Sequence, residues 1–123
     1  MKLLLDTHIL LWALLDDPAL GASRRAALED PGSALYLSAA SIWEISIKRA
    51  LGKLDVPDTV FDTATQGGCQ PLPILWPHAQ AAGELPAHHN DPFDRMLIAQ
   101  AQIEGMTLLT ADRAFAAYDV PTL

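Results

Sequence analysis

The chain alternates between short apolar runs and longer stretches with helical spacing. The runs Lys2–Leu5, Ala34–Leu37 and Met106–Thr110 each predict a short strand. A fourth apolar run, Gln70–Leu75, contains two prolines, so a strand there must be short or lie at the edge of a sheet. The sequence therefore predicts four short strands spread along the chain.

Helical spacing fills the segments between these strands. The predicted helices are Thr7–Leu15, Ser23–Glu29, Ala40–Leu51, about ten residues from the Val56-Pro57-Asp58 turn to Gly67-Gly68, Pro77–Leu85, Phe93–Glu104 and Arg113–Tyr118. Strands that alternate with helices predict right-handed βαβ units and a parallel α/β sheet covered on both faces. No repeat or long linker interrupts the pattern, so residues 1–123 are expected to form a single domain.

Two acids lie just beyond the ends of predicted strands. Asp6 comes after the first strand, and Asp112 comes one residue after the last strand. Ligands of open α/β sheets bind outside the carboxyl ends of the strands, so both positions are candidates for a site. Each acid is equally well placed to cap the helix that follows it, and the sequence leaves both interpretations open.

Two further acids interrupt apolar helix faces. Glu44 shares a face with Ile47 and Leu51, and Asp94 lies one turn before Leu97. An ionised carboxylate that faces a core is costly unless a cation or several hydrogen bonds compensate it. Glu44 and Asp94 are therefore the third and fourth candidate site residues.

Local explanations exist for these two acids as well. Ser41 and Glu44 match a capping box, and Lys48 is placed for an i,i+4 ion pair with Glu44. Asp91 is placed as the N-cap of the next helix, with Asp94 as an acid in the first turn. We assign Asp91 to capping and retain Asp94 as a site residue.

Four converging carboxylates would suit a hard divalent cation. Mg²⁺ and Mn²⁺ prefer oxygen ligands and keep bound waters that can attack a phosphodiester. The ligand set Asp6, Glu44, Asp94 and Asp112 therefore predicts a Mg²⁺ or Mn²⁺ site with these four acids as its catalytic residues. Thr7 and Thr110 flank the acids, either as turn residues or as groups that orient ligands and water.

Composition adds limits on location and partners. Half of the 123 residues are hydrophobic, enough for a core without disulfides, and the single Cys69 favours a reducing cytoplasm. No N-terminal signal is evident, and the apolar stretch Ile9–Leu15 is too short for a membrane span of ~20 residues. The net charge of −7 argues against passive nucleic-acid binding, although bound cations would make the site locally positive.

Taken in order, four segments resemble the PIN-domain ribonucleases, specifically VapC-type toxins of toxin–antitoxin pairs. They are LLLDTHILLW at 3–12, SIWEISIK at 41–48, DPFDRMLIAQA at 91–101 and LLTAD at 108–112. The resemblance implies a three-layer α/β/α sandwich, with Asp6 and Asp94 as the principal metal ligands. It also implies that Glu44 completes the acidic pocket, with Asp112 as a fourth, more variable acid. An RNA substrate, a homodimer and a VapB-type antitoxin that covers the site follow from the resemblance alone.

Other functions are weaker matches to the residues. A phosphotransferase of the haloacid type would show a second Asp two residues after Asp6, where His8 stands. A Mg²⁺-binding, receiver-like interaction module without nuclease activity would want a lysine at a later strand end. It is kept as the alternative function.

Histidine, arginine and tryptophan residues offer further candidate roles, most of which are weaker than those of the four acids. The four histidines match no compact zinc motif. His88 and His89 lie in the loop before the DPFD segment, where they could touch substrate, but they are expected to be ordinary loop residues. Arg95 and Arg113 each follow a site acid, where they could meet phosphate or pair with carboxylates. The tryptophans are expected in the core or on a partner-binding surface; they are Trp12, Trp43 and Trp76.

Overall fold

The computed structural model describes residues 1–123 and contains one sheet of four parallel strands. The strands are β1 (Lys2–Leu5), β2 (Ala34–Ser38), β3 (Gln70–Leu72) and β4 (Thr107–Leu109), in the spatial order β3-β2-β1-β4. All three strand pairs are parallel. The short β3 lies at an edge, as its prolines predicted, and β1 lies between β2 and β4.

Six α-helices connect and cover the strands. They are α1 (Thr7–Leu14), α2 (Ala22–Glu29), α3 (Ala39–Ala50), α4 (Val60–Gln66), α5 (Trp76–Glu84) and α6 (Pro92–Glu104). The predicted helix before Gly67 is shorter than expected, because residues 58 and 59 form a turn before Val60. The predicted last helix is a 3₁₀ helix, Arg113–Ala117, and a second 3₁₀ helix, Pro18–Leu20, was not predicted.

Alternate side chains of β1 enter two different cores. Leu3 and Leu5 belong to a buried cluster that includes residues of α1, α3 and α4. Leu4 belongs to a second cluster that includes Leu97 and Ile98 of α6. Because successive strand side chains point to opposite faces, these clusters lie on the two sides of the sheet. The α/β fold with helices on both faces of a parallel sheet is therefore confirmed.

A buried polar link joins the sheet to α6. The hydroxyl of Ser38 donates to Oε1 of Gln100 at 2.6 Å, and Nε2 of Gln100 donates to the carbonyl of Pro73 at 3.2 Å. Gln100 is fully buried, so these bonds satisfy an amide that would otherwise be costly to place there. They fix the start of α3 and the end of β3 against α6, whose first turn carries Asp94.

All six helices are short. The longest, α6, has 13 residues. None of the helices combines the length and apolar character that crossing a membrane requires.

Candidate metal centre

The site is built on the carboxyl ends of β1 and β4. Leu5 and Leu109 are register partners, which brings the next residues of both strands side by side. The backbone N–H of Asp6 donates to the carbonyl of Leu109 at 3.0 Å, and the hydroxyl of Thr110 donates to Oδ2 of Asp6 at 2.9 Å. Thr110 therefore orients the first candidate ligand, one of the two roles that its position allowed.

Asp6 occupies the N-cap position of α1 without forming a side-chain capping bond. Asp6 is only 3% exposed to solvent. Burial raises the pKa of the Asp6 carboxyl, while the hydrogen bond from Thr110 acts in the opposite direction. The structure shows no side-chain capping bond that would account for this buried carboxylate, and its role as a metal ligand stays a prediction.

Asp112, in contrast, does cap the helix that follows it. Its Oδ1 accepts a hydrogen bond from the backbone N–H of Ala114 at 2.9 Å, and its own N–H donates to Oγ1 of Thr110 at 3.0 Å. The side chain is 47% exposed. Asp112 thus lies at the open rim of the site, with one carboxylate oxygen engaged by the cap. Its backbone N–H is linked to Asp6 through the hydroxyl of Thr110.

Glu44 lies inside α3 rather than at its start. The side chain of Ser38 caps α3 by accepting the N–H of Ala40 at 3.0 Å, so the alternative explanation of Glu44 as part of a capping box at Ser41 does not hold. Glu44 is 4% exposed, and its Oε2 lies 2.7 Å from Nζ of Lys48. This hydrogen bond raises the pKa of the Lys48 ammonium. The predicted i,i+4 pair is therefore present, and Lys48 is the one lysine or arginine in ion-pair contact with any of the four acids.

Asp94 lies in the first turn of α6, beside its N-cap. The side chain of Asp91 accepts the N–H groups of Phe93 and Asp94 at 2.8 and 3.1 Å, which confirms its capping role. The Asp94 side chain is 16% exposed. Its pKa is raised to about 7, first by burial and then by the negative charges of neighbouring acids. Those neighbours are Asp91, Asp6, Glu44 and Asp112.

The four candidate acids thus converge from four separate elements. Each of the other three contributes to the raised pKa of Asp94, which places all three within electrostatic range of Asp94. One lysine does not balance four carboxylates, and their oxygens are the donors that Mg²⁺ and Mn²⁺ prefer. The donor set and the charge imbalance fit a hard divalent cation.

His89 was expected to be an ordinary loop histidine, and this expectation missed its contact with the site. Its Nε2 lies 3.0 Å from Oδ2 of Asp94 and 3.9 Å from Oδ2 of Asp112. Ligand atoms of these three residues all lie within 4.8 Å of one another. Only the conformation of the loop between α5 and α6 creates this contact, and no periodic pattern in the sequence encodes it.

Arg95 does not pair with a neighbouring carboxylate. It donates to the backbone carbonyls of Ala82, Leu85 and Pro86 at 2.8–3.0 Å, with longer bonds to two more carbonyls. The guanidinium therefore fastens the loop that carries His89. Its proximity to Asp94 in sequence had suggested a direct contact with the site.

The tryptophans are distributed unevenly between core and surface. Trp12 is half-buried against the first core cluster, whereas Trp43 and Trp76 are 62% and 92% exposed. Trp43 packs edge-on against Phe93, with ring centroids 5.3 Å apart. The core interpretation is wrong for Trp43 and Trp76, and a partner-binding surface remains a prediction for both.

Comparisons with known proteins identify the family and the fold of the chain. The family model of the PIN domain matches residues 3–121. The structure of VapBC2 from Rickettsia felis bound to a promoter DNA fragment is similar, with a TM-score of 0.75 at 15% identity, over 100% of this chain and 98% of that one. FitAcB from Neisseria gonorrhoeae gives a TM-score of 0.64 at 22% identity, over 98% and 96% of the two chains.

A further solved structure and a search of curated sequences give two more results. A toxin–antitoxin complex from Klebsiella pneumoniae gives a TM-score of 0.69 at 18% identity, over 98% of this chain and 94% of that one. No curated protein sequence gives a significant match. The solved structures establish the fold, and the family model covers almost the whole sequence. The chain therefore belongs to the PIN domain family.

Proposed function

We propose that the chain is a Mg²⁺- or Mn²⁺-dependent endoribonuclease, the toxin of a VapBC-type toxin–antitoxin pair. PIN domains are generally nucleases, which sets the reaction class. The observation that carries the proposal is that Asp94 is buried in electrostatic range of the other three candidate acids; burial first, and then repulsion by Asp91 and those three acids, raises its pKa to about 7. A protein gains nothing from this repulsion unless a cation joins the acids in the working state.

Each of the four acids would have its own role in binding the cation. Asp6 and Asp94 would be the principal ligands, Glu44 would complete the pocket, and Asp112 would act from the rim. A divalent ion bound there supplies an activated water and stabilises the leaving oxygen of the phosphodiester. Thr110 keeps the Asp6 carboxylate in place through the hydrogen bond to Oδ2. Lys48 neutralises part of the charge of Glu44.

The first experiment measures cleavage of labelled single-stranded and structured RNA by the purified protein. Cleavage should require Mg²⁺ or Mn²⁺ and stop with EDTA. Asp6→Asn and Asp94→Asn should each lower the rate by at least about a hundredfold, because each removes a charged ligand from the metal centre. Asp62→Asn, at an exposed position on α4, is the matched control and should cut like the wild type.

Two results would contradict the proposal. Full cleavage by Asp6→Asn or Asp94→Asn would remove the site assignment. Tight Mg²⁺ or Mn²⁺ binding without cleavage of any RNA tested would favour the alternative, a metal-binding interaction module.

The partner part of the proposal rests on similar folds. The solved structures with this fold include VapBC2 and a toxin–antitoxin complex, so we infer a cognate VapB-type antitoxin for this chain. Expression of the chain alone should arrest bacterial growth, and Asp94→Asn should not. Co-expression of the small protein encoded beside it should restore growth. Normal growth with abundant folded wild-type protein would contradict the toxin role.

We also propose a homodimer, with the exposed Trp43 and Trp76 as candidates for its surface. Tryptophan is enriched at protein–protein interfaces relative to the rest of the surface. The molar mass from light scattering should be twice that of the 13.3 kDa chain. A monomer at micromolar concentration would contradict the dimer without affecting the metal site.

A further inference from the structure

The ring of His89 contacts the acids through one nitrogen only. Nε2 lies 3.0 Å from Oδ2 of Asp94 and 3.9 Å from Oδ2 of Asp112, and the side chain is 19% exposed. The shorter distance is typical of direct polar contact, whereas the longer one is not. The functional question is whether this nitrogen binds a metal or holds the Asp94 carboxylate.

The other ring nitrogen decides which atom carries the hydrogen. The backbone N–H of Asp91 donates to Nδ1 of His89 at 3.1 Å. A ring nitrogen that accepts a hydrogen bond carries no hydrogen, so the imidazole hydrogen belongs on Nε2. A protonated Nε2 has no free lone pair for a metal ion but can donate to a carboxylate. This tautomer favours contact with Asp94 over metal ligation.

Both backbone polar groups of His89 form hydrogen bonds. Its N–H donates to the hydroxyl of Tyr118 at 2.8 Å, and its carbonyl accepts from Arg95 at 3.3 Å. The ring itself packs against Phe115, with centroids 6.1 Å apart. The hydroxyl of Tyr118 in turn donates to the carbonyl of Pro86 at 2.9 Å. The placement of Nε2 beside Asp94 is therefore built into the fold of the loop.

We propose that His89 is a positioning residue that holds Oδ2 of Asp94 through Nε2–H, so that this carboxylate keeps one orientation for a divalent cation. The proposal rests on the metal site of the proposed function, but it does not require that RNA be the substrate. Partners that orient metal ligands typically change metal affinity about 10–100-fold when they are removed. His89 should therefore affect metal affinity without being a ligand itself.

A pair of substitutions separates the two nitrogens of the ring. In His89→Gln the side-chain amide can still donate near the position of Nε2, whereas in His89→Asn it reaches only as far as Nδ1. Isothermal titration with Mn²⁺ should show about a tenfold or greater loss of affinity for His89→Asn and a smaller loss for His89→Gln. His88→Asn makes the same change at the exposed preceding residue and should bind Mn²⁺ like the wild type.

Two spectroscopic measurements on the wild type test the mechanism without any substitution. Long-range ¹H–¹⁵N correlation spectra of the metal-free protein should show the hydrogen of His89 on Nε2. Pulsed electron paramagnetic resonance of bound Mn²⁺ should show no directly coordinated histidine nitrogen. A hydrogen on Nδ1, or a coordinated nitrogen that is lost in His89→Gln, would overturn the positioning role.

Failure of this inference differs from failure of the proposed function. Wild-type affinity for Mn²⁺ in His89→Asn overturns the positioning role even if the protein cuts RNA. Weakened Mn²⁺ binding in that variant supports the role even if no RNA is cut. A wild-type protein that binds no Mn²⁺ would overturn both proposals.

Discussion

Asp94 is held among other acids and largely away from water, and its pKa rises to about 7 from 3.8. Between these two pH values the folded protein holds a proton that the unfolded chain has released. The stability contributed by this group is therefore present at low pH and lost as the pH rises toward 7. Above pH 7, the metal-free fold carries a charge that it holds unfavourably.

Removing that charge should stabilise the metal-free protein. We expect Asp94→Asn to raise the free energy of unfolding at pH 8 by about 1–2 kcal/mol, a value lowered by the remaining hydration of the carboxylate. The gain should shrink toward zero near pH 4, where Asp94 of the wild type is protonated as well. Urea unfolding in EDTA at both pH values measures the difference. An equal or larger gain at pH 4 would contradict the raised pKa.

At the residue scale, the sequence predicted the four acids but not their relative roles. Burial of Glu44 and Asp94 followed from their apolar helix faces. Asp112 forms a side-chain capping bond and Asp6 does not. The sequence could not predict this difference, because both acids follow strands. The side-chain direction of an N-cap residue depends on its neighbours in space, here Thr110.

At the scale of the elements, the loop between α5 and α6 depends on one side chain. Arg95 donates to five carbonyls of this segment and its flanks, a geometry that a planar guanidinium can span and an ammonium cannot. Several carbonyls lose their donor when the guanidinium is removed. The loop that presents His89 therefore relies on a residue outside the metal centre.

Arg95→Lys should lower the free energy of unfolding by about 1–3 kcal/mol, because several partly buried carbonyls lose a donor. Amide exchange should accelerate in residues 82–89 and remain slow in the β1 strand. Arg113→Lys, at an exposed position, should leave both quantities unchanged. An Arg95→Lys protein with wild-type stability and wild-type exchange in the loop would contradict this account.

Element boundaries were predictable where a local signal existed. Gly105 ends α6 with φ +66°, a conformation that glycine adopts without strain, and Asp91 begins that helix as its cap. The loop between α5 and α6 lacked such a signal. Its shape is determined by Arg95 and Tyr118, which reach it from α6 and from the C-terminal segment.

At the scale of the whole molecule, the alternation of strands and helices predicted the layers, and β1 shows why. Its three buried leucines supply both cores, as a central parallel strand requires. The order of the strands did not follow from periodicity, since β4 pairs with β1 through contacts about a hundred residues apart in sequence. That pairing is what brings Thr110 and Asp112 to Asp6.

We propose that this pairing builds a centre for a divalent cation. A crystal structure of the protein soaked in Mn²⁺, with anomalous diffraction measured to locate the ion, tests this proposal. We expect one or two anomalous peaks in contact with the carboxylates of Asp6 and Asp94, with Glu44 and Asp112 beside them. If saturating Mn²⁺ gives no anomalous peak at these carboxylates, or gives peaks only elsewhere on the surface, the proposed metal centre is wrong.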